Sequence, residues 1–349
     1  MSYLSLHRAP ERHAYFASQA GQSPFFDPVL RAWIITEPDC CERLLSSPHA
    51  RPAAYTDDYK RLTERLGIDF SNIVFALSYV PLCLHADAHR SARRRFAEFL
   101  AARKSSIATC IPRAVEAQLG ILRQEGQVDL VRQVIEPLVL SVTGELAGID
   151  PAAVAGRPSV SSIFDKWIGV RKRRRADADL GQLRQLIASA LAPQASEDEV
   201  GVRLALFILG RDATIGTLAE SLHRLFIEHP GGRLDEIDYP ETPPETGVPY
   251  VERVVTESFG EGEIRFKPGD RLRIYLQSFA GSGSARERAR IFGVGNHSCL
   301  GRPLSLDLWR EMTSYLAAIP LHADIVSHAL RTDDYVFVYP QHLIVRLYA

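Results

Sequence analysis

The sequence predicts a mainly α-helical domain with small β-sheets, on three observations. Segment after segment shows apolar residues at helical spacing, punctuated by glycine or proline. The longest, residues 199–226, is apolar on every face at its centre, Leu204-Ala-Leu-Phe-Ile-Leu-Gly210, as a buried core helix should be. Strand-like runs flank a Lys267-Pro-Gly-Asp turn, and no linker or internal repeat divides the 349 residues. A single domain over residues 1–349 is therefore expected.

Taken in order, residues 31–37 form a short apolar strand pattern, and residues 38–45 a helix stopping before Ser46-Ser-Pro. Residues 57–84 are irregular and are expected to be loop-rich. Helical spacing returns at residues 91–102, 112–124, 128–147 and 182–191. The dense basic run Arg171-Lys-Arg-Arg-Arg175 is by default a solvated face, with partner docking as the other reading. After Gly231-Gly232 come proline-rich turns, then strand patterns at residues 251–257 and 272–279. Residues 334–339 and 342–347 read as a C-terminal β pair.

An apolar fraction of 46% supports a sizeable core, and a net charge of −1 gives nucleic acid no electrostatic claim as a partner. The five cysteines, Cys40, Cys41, Cys83, Cys110 and Cys299, lack paired or Cys-x-x-Cys spacing, so a reducing cytoplasm is expected. The start, Met1-Ser-Tyr-Leu-Ser-Leu-His-Arg, lacks a long apolar run. Neither a signal peptide nor a membrane anchor is expected, and the membrane is not expected as a partner.

Chemistry concentrates in Phe292-Gly-Val-Gly295-Asn-His297-Ser-Cys299-Leu-Gly301, which runs straight into an apolar helical pattern. Gly295 and Gly301 permit unusual dihedrals and close approach. A helix beginning near Cys299 would aim free amides at the sulfur, and Phe292 would supply an apolar floor. Taken alone, Cys299 could equally be a buried free cysteine in a glycine turn.

The stretch resembles the signature of the haem-thiolate cytochrome P450 family, Phe-x-x-Gly-x-(Arg/His)-x-Cys-x-Gly, at all five defining positions. The resemblance implies a P450-like fold with haem b between a long distal helix and the cysteine loop. Cys299 would be the axial iron ligand. Two buried propionates need cationic donors, since an unpaired buried carboxylate costs several kcal/mol. His89 and Arg93, four residues apart and so on one helix face, resemble the family's His-x-x-x-Arg contact. Arg253, with Gly269 closing the turn beyond it, and His297 resemble the other two donors. Phe292, His297, Cys299 and Gly301 are thus implied cofactor contacts, with His89, Arg93 and Arg253.

The long apolar helix resembles the family's distal helix, Ala-Gly-x-(Asp/Glu)-Thr, reading Leu209-Gly210-Arg211-Asp212-Ala213-Thr214. The resemblance makes Gly210 the groove for a diatomic ligand and Asp212 the acid of proton delivery, while Ala213 replaces the threonine. Thr214 is one helical step away, about a quarter turn, and is not expected simply to replace it. Its other reading is a threonine bonded to the preceding turn. Arg211 is expected to turn towards core polar groups rather than the pocket. In the family, the region matching residues 57–84 roofs the pocket, so Phe70, Ile73, Phe75 and Tyr79 could line it or pack in the core.

Three departures stand out. The family's Glu-x-x-Arg pair should lie just before Pro243-Pro244, where Glu236-Ile-Asp-Tyr239 has tyrosine in place of arginine. The chain is shortened there, and again before Phe292, at residues 280–290. A ferredoxin with its reductase is the electron donor the family implies, and Arg286, Arg288 and Arg290 could steer an acidic one.

The resemblance implies monooxygenase-type oxidation of a small or medium apolar molecule in specialised metabolism. The alternatives are haem-thiolate chemistry without monooxygenation (peroxide use, dehydration or rearrangement) and a non-catalytic haem or ligand-binding protein.

Overall fold

The computed structural model describes residues 18, 20–280, 284–331, 336–338 and 340–349. Strands β1 (Phe25–Asp27) and β2 (Ala32–Ile35) form a hairpin leading into α1 (Pro38–Ser46), the first expected strand and helix. Glu37 caps α1 by accepting from the Asp39 and Cys40 amides, and Pro38 occupies its first turn. Strand β3 (Ala50–Pro52) follows.

The stretch expected to be loop-rich is instead largely helical: α2 (Tyr55–Leu66), α3 (Ser71–Leu77) and a 3-10 turn at Pro81–Cys83. Its period, Tyr55, Tyr59 and Leu62 towards the core, is thin because the rest of α2 is highly charged. Phe70 and Ile73 are core residues. Phe75 lies under the Arg184 guanidinium at 3.6 Å, and Tyr79 packs over Gly201. None of these four reaches the central cavity described below, whereas Pro81 and Leu82 do.

Helices α4 (Ala86–Ala101) and α5 (Lys104–Leu119) confirm the next two helical segments. The helix expected at 128–147 starts later: Val128 and Asp129 belong to β4 (Gly126–Asp129). Asp129 then caps a π turn, Leu130–Ile135, that leads into α6 (Glu136–Ala147). Helix α7 (Val170–Ala190) extends the segment expected at 182–191 backwards through the basic run. Arg171, Lys172, Arg174 and Arg175 are exposed there, but Arg173 is buried and donates to Tyr59 Oη at 2.9 Å.

The long apolar helix is a single rod in three parts: α8 (Glu197–Leu206), a π turn (Phe207–Arg211) and α9 (Asp212–Glu228). A reciprocal Ser196–Glu199 capping box starts it. Strands β5 (Tyr250–Val255), β6 (Phe259–Glu261), β7 (Ile264–Phe266) and β8 (Arg271–Tyr275) follow, then α10 (Arg302–Leu316), β9 (His322–Leu330) and β10 (Pro340–Tyr348).

One sheet has the order β1-β2-β8-β5-β3, with β2 and β8 parallel and its other neighbours antiparallel. It packs on α1, while the larger core surrounds α6 and the α8–α9 rod. A second sheet, β4-β10-β9, corrects the expected C-terminal pairing: β10 pairs with residues 322–330, and residues 336–338 of the expected strand are in no strand. Residues 332–335 and 339 lie outside those described. The Val338 amide between them donates to Gly247 O at 2.9 Å, so this segment is tied to the loop beside α9. A Cβ on Gly216 of α9 would come within 1.9 Å of Val338 O, and one on Gly247 within 2.3 Å of Ala213 O. Only glycine permits these backbones to meet.

Candidate functional site

Cys299 sits in the short link between the turn at Gly295–His297 and the N-terminus of α10. Its amide donates to Phe292 O at 2.8 Å, folding the stretch back on itself. Gly293 and Gly295 make the reversal at φ 75° and 65°. A Cβ on Gly301 would lie 3.7 Å from the Cys299 sulfur. Burial pushes the thiol up, opposed by the Gly301 and Arg302 amides and then by the positive charge of Arg93. Cys299 is exposed and lines a cavity, with protein packed densely around its sulfur.

That cavity, of about 210 Å³, is walled largely by apolar side chains, with Phe96 and Leu100 of α4, Val248, Val251 of β5, Phe292 and Phe337 among them. The α8–α9 rod contributes Leu206, Leu209, Gly210, Ala213, Thr214 and Thr217, a stripe at spacings of three and four. A stripe of that width takes in positions 213 and 214 together, so Thr214 does face the cavity beside Ala213. The quarter turn between the two positions leaves both on the wall. Its hydroxyl has no hydrogen bond among the described residues, whereas Thr217 Oγ1 donates to Ala213 O and accepts from the Gly247 amide, both at 2.8 Å.

Asp212 lies off this stripe and is 2% exposed. It pairs with Arg211 Nε at 2.7 Å and accepts from the Ser159 hydroxyl. Arg211 also donates to Arg157 O, turned into the core as expected. Gly210 is on the cavity wall and Asp212 is not.

The four expected cations converge from three elements. Arg93, Arg253 and His297 line the cavity, and the His89 ring stands 4.0 Å from that of His297. Arg93 donates to Ser298 O at 2.7 Å. Arg253, 2% exposed, donates to Glu252 O at 3.0 Å. Among the described residues neither arginine has a carboxylate within ion-pair distance, and His89 Nε2 and His297 Nδ1 are buried without a partner. Burial lowers Arg253 to about 10. Burial, reinforced by Arg253, His89 and Arg93, lowers His297 to about 3. Such a cluster is stable only with anions beside it. Two carboxylates beside a thiolate and an apolar cavity are what haem would supply, so these residues fit that group.

Strand alternation aims Arg253. Its neighbour Glu252 points to the opposite face, where it binds Arg271 at 2.7 and 2.8 Å and Arg273 at 2.8 Å. Arg273 in turn lies over the Tyr250 ring at 4.1 Å. No sequence motif marked this buried trio.

Glu236 and Tyr239 form no pair: Glu236 meets Arg233 at 3.4 Å, and Tyr239 Oη donates to Leu234 O. Arg224, from the end of α9, instead meets the fully buried Glu245 at 3.3 Å. The expected arginine cluster on the cysteine side is also thinner than its sequence suggests. Arg290 is paired with Glu42 at 2.9 Å, Arg288 is half-buried and Arg286 is exposed.

A wider, open cleft of about 860 Å³ lies elsewhere, lined by Phe26, Arg31, Arg61, Arg65, Lys166 and Trp167 among others. It holds none of the expected site residues. Among the described residues no helix is long and apolar enough to cross a membrane.

No protein-family model matches the chain, and no curated protein matches it by sequence. Solved structures do match. The crystal structure of CalO2 superposes with a TM-score of 0.81 at 14% identity, covering 96% of this chain and 95% of that one. P450BioI, solved with an acyl carrier protein ligated to hexadec-9Z-enoic acid, gives 0.76 at 14% identity over 98% and 99%. The P450 haem domain of Tepidiphilus thermophilus gives 0.74 at 16% identity over 95% and 93%. Likeness at such identities is a likeness of architecture, and over nearly its whole length this chain has the cytochrome P450 fold.

Proposed function

We propose that this chain is a haem-thiolate oxidoreductase carrying haem b, acting as a monooxygenase on a small or medium apolar molecule. One observation carries the reading: Arg93, Arg253 and His297, with His89 stacked behind His297 and no acid among them, line a cavity that Cys299 also lines, at a helix N-terminus.

In this reading Cys299 ligates the iron, Arg93, Arg253 and His297 hold the propionates, and His89 backs His297. Phe292 and Gly301 shape the space around the sulfur. When bound, the haem supplies redox chemistry at iron, with a thiolate donating electron density from below. The Gly301 and Arg302 amides disperse the negative charge of the sulfur. The apolar walls exclude bulk water and select an apolar substrate. Gly210 leaves room on the distal side, and Thr214 Oγ1 holds the water that passes a proton into the cavity. Asp212 acts from behind the wall by orienting Arg211 and the rod.

The single exposed arginine of residues 286–290 makes a weak docking surface for a ferredoxin and favours peroxide use as the second reading. As for the substrate's form, P450BioI was solved holding an acyl-loaded carrier protein. The exposed Arg61 and Arg65 on the wall of the wide cleft suit an acidic carrier in the same way.

The test is spectroscopic. Protein produced with haem available, reduced and exposed to carbon monoxide, should show the strongly red-shifted Soret band of thiolate ligation, and Cys299→Ser should abolish it. A wild type without that band sinks the proposal. Turnover with ferredoxin and reductase against peroxide alone, on a free acid and on its carrier thioester, decides among the narrower readings.

A further inference from the structure

A second set of metal-binding side chains lies outside the cavity. Glu220 and His223 are three residues apart on α9 and so share a face, and His328 of β9 packs against them. One carboxylate oxygen and two ring nitrogens, one atom from each residue, all lie within 4.8 Å of one another. His328 Nε2 is 2.8 Å from Glu220 Oε1, and the two imidazoles stack at 3.6 Å with planes 18° apart. None of the three lines the haem cavity.

Glu220 is 1% exposed, so its carboxylate is served by the groups packed against it, His328 among them. A divalent ion between the three side chains would take one lone pair from each.

We propose that Glu220, His223 and His328 form a zinc-binding site. Two imidazole nitrogens and one carboxylate oxygen suit this borderline ion better than the hard cations magnesium and calcium. The histidines are half-buried, which leaves a fourth position for water. Ligand atoms on a tetrahedral zinc stand about 3.3 Å apart, so the 2.8 Å pair must open by roughly half an ångström and the stacked rings must fan apart.

The ion joins the rod to a strand of another sheet. Thr217, one turn before Glu220, and Phe337, beyond β9, both form cavity wall, so zinc stiffens this side of the pocket. The proposal does not depend on the haem reading.

The experiment is calorimetric titration of zinc chloride into full-length holoprotein previously stripped with a chelator. The wild type should bind one equivalent per chain with micromolar or tighter affinity. His223→Ala, at a half-exposed position, should weaken this by at least about 30-fold, and His328→Asn likewise. Zinc should raise the thermal midpoint of the wild type and leave that of His223→Ala unmoved. Wild-type affinity weaker than about 100 µM overturns the proposal. So does undiminished binding by both variants when circular dichroism shows them folded.

Discussion

Arg224 Nη1 lies 3.3 Å from Glu245 Oε1, and donates at the same distance to the carbonyls of Pro244 and Ala280. Its Nε holds Glu228 at 2.8 Å. One guanidinium thus joins the last turn of the distal rod to the loop before β5 and to the start of the shortened stretch that leads to Cys299. This tie, unlike the absent pair at Glu236 and Tyr239, is made by an arginine of α9. Arg224→Ala should destabilise the protein by about 3 kcal/mol, because it withdraws a cation from a fully buried carboxylate. Urea unfolding measures this, and haem content per chain should fall with it.

Glu252 gives a pH signature. Burial alone would raise its carboxyl, but Arg273 and then Arg271 outweigh burial and hold it down at about 2. A depressed folded-state value means stability that is complete above the unfolded value near 4.5 and is lost as pH falls through about 2. Glu252→Gln should cost about 3 kcal/mol at pH 7. It should also flatten the fall in stability between pH 4.5 and 2, followed by urea titration at stepped pH.

Arg253 should show opposite signs in two states. Without its anion it is a buried cation lacking an acidic partner, so Arg253→Met should stabilise the haem-free chain. The same change should weaken haem retention by about 30-fold, a loss of the order expected when one partner of a buried charge pair is removed. Haem transfer to apomyoglobin reads the second effect and chemical unfolding the first.

Thr214 and Thr217 separate chemistry from architecture. Thr217→Val breaks two bonds to backbone and should cost about 2 kcal/mol in stability. Thr214→Val should leave stability within about 0.5 kcal/mol. In turnover with an electron donor, it should divert electrons to released peroxide, seen as less product per reductant consumed.

Much of this architecture was legible because it rests on local periodicity and on one dense motif. The long rod announced itself by being apolar all round, and the stretch from Phe292 to Gly301 by its glycines and cysteine. What escaped depended on long-range partners. Helix α2 does carry an apolar period, Tyr55, Tyr59 and Leu62, but it is too sparse among charged residues to stand out. Strand β9 pairs with β10 although residues 336–338 look more strand-like, because Val338 spends its amide on Gly247. Asp212 matched a motif letter for letter, yet its side chain is held by Arg211 and Ser159. The Glu252 trio is spread over two strands that no sequence spacing links.

The parallel pairing of β2 with β8 sets Trp33 opposite Leu272, joining parts of the chain more than two hundred residues apart. Closing so long a loop is slow compared with the local assembly of helices. The sheet that presents Arg253 is therefore the part of the fold that depends most on contacts distant in sequence. One edge of the cavity, Val251 and Arg253, is thus held in place by residues from the opposite end of the chain.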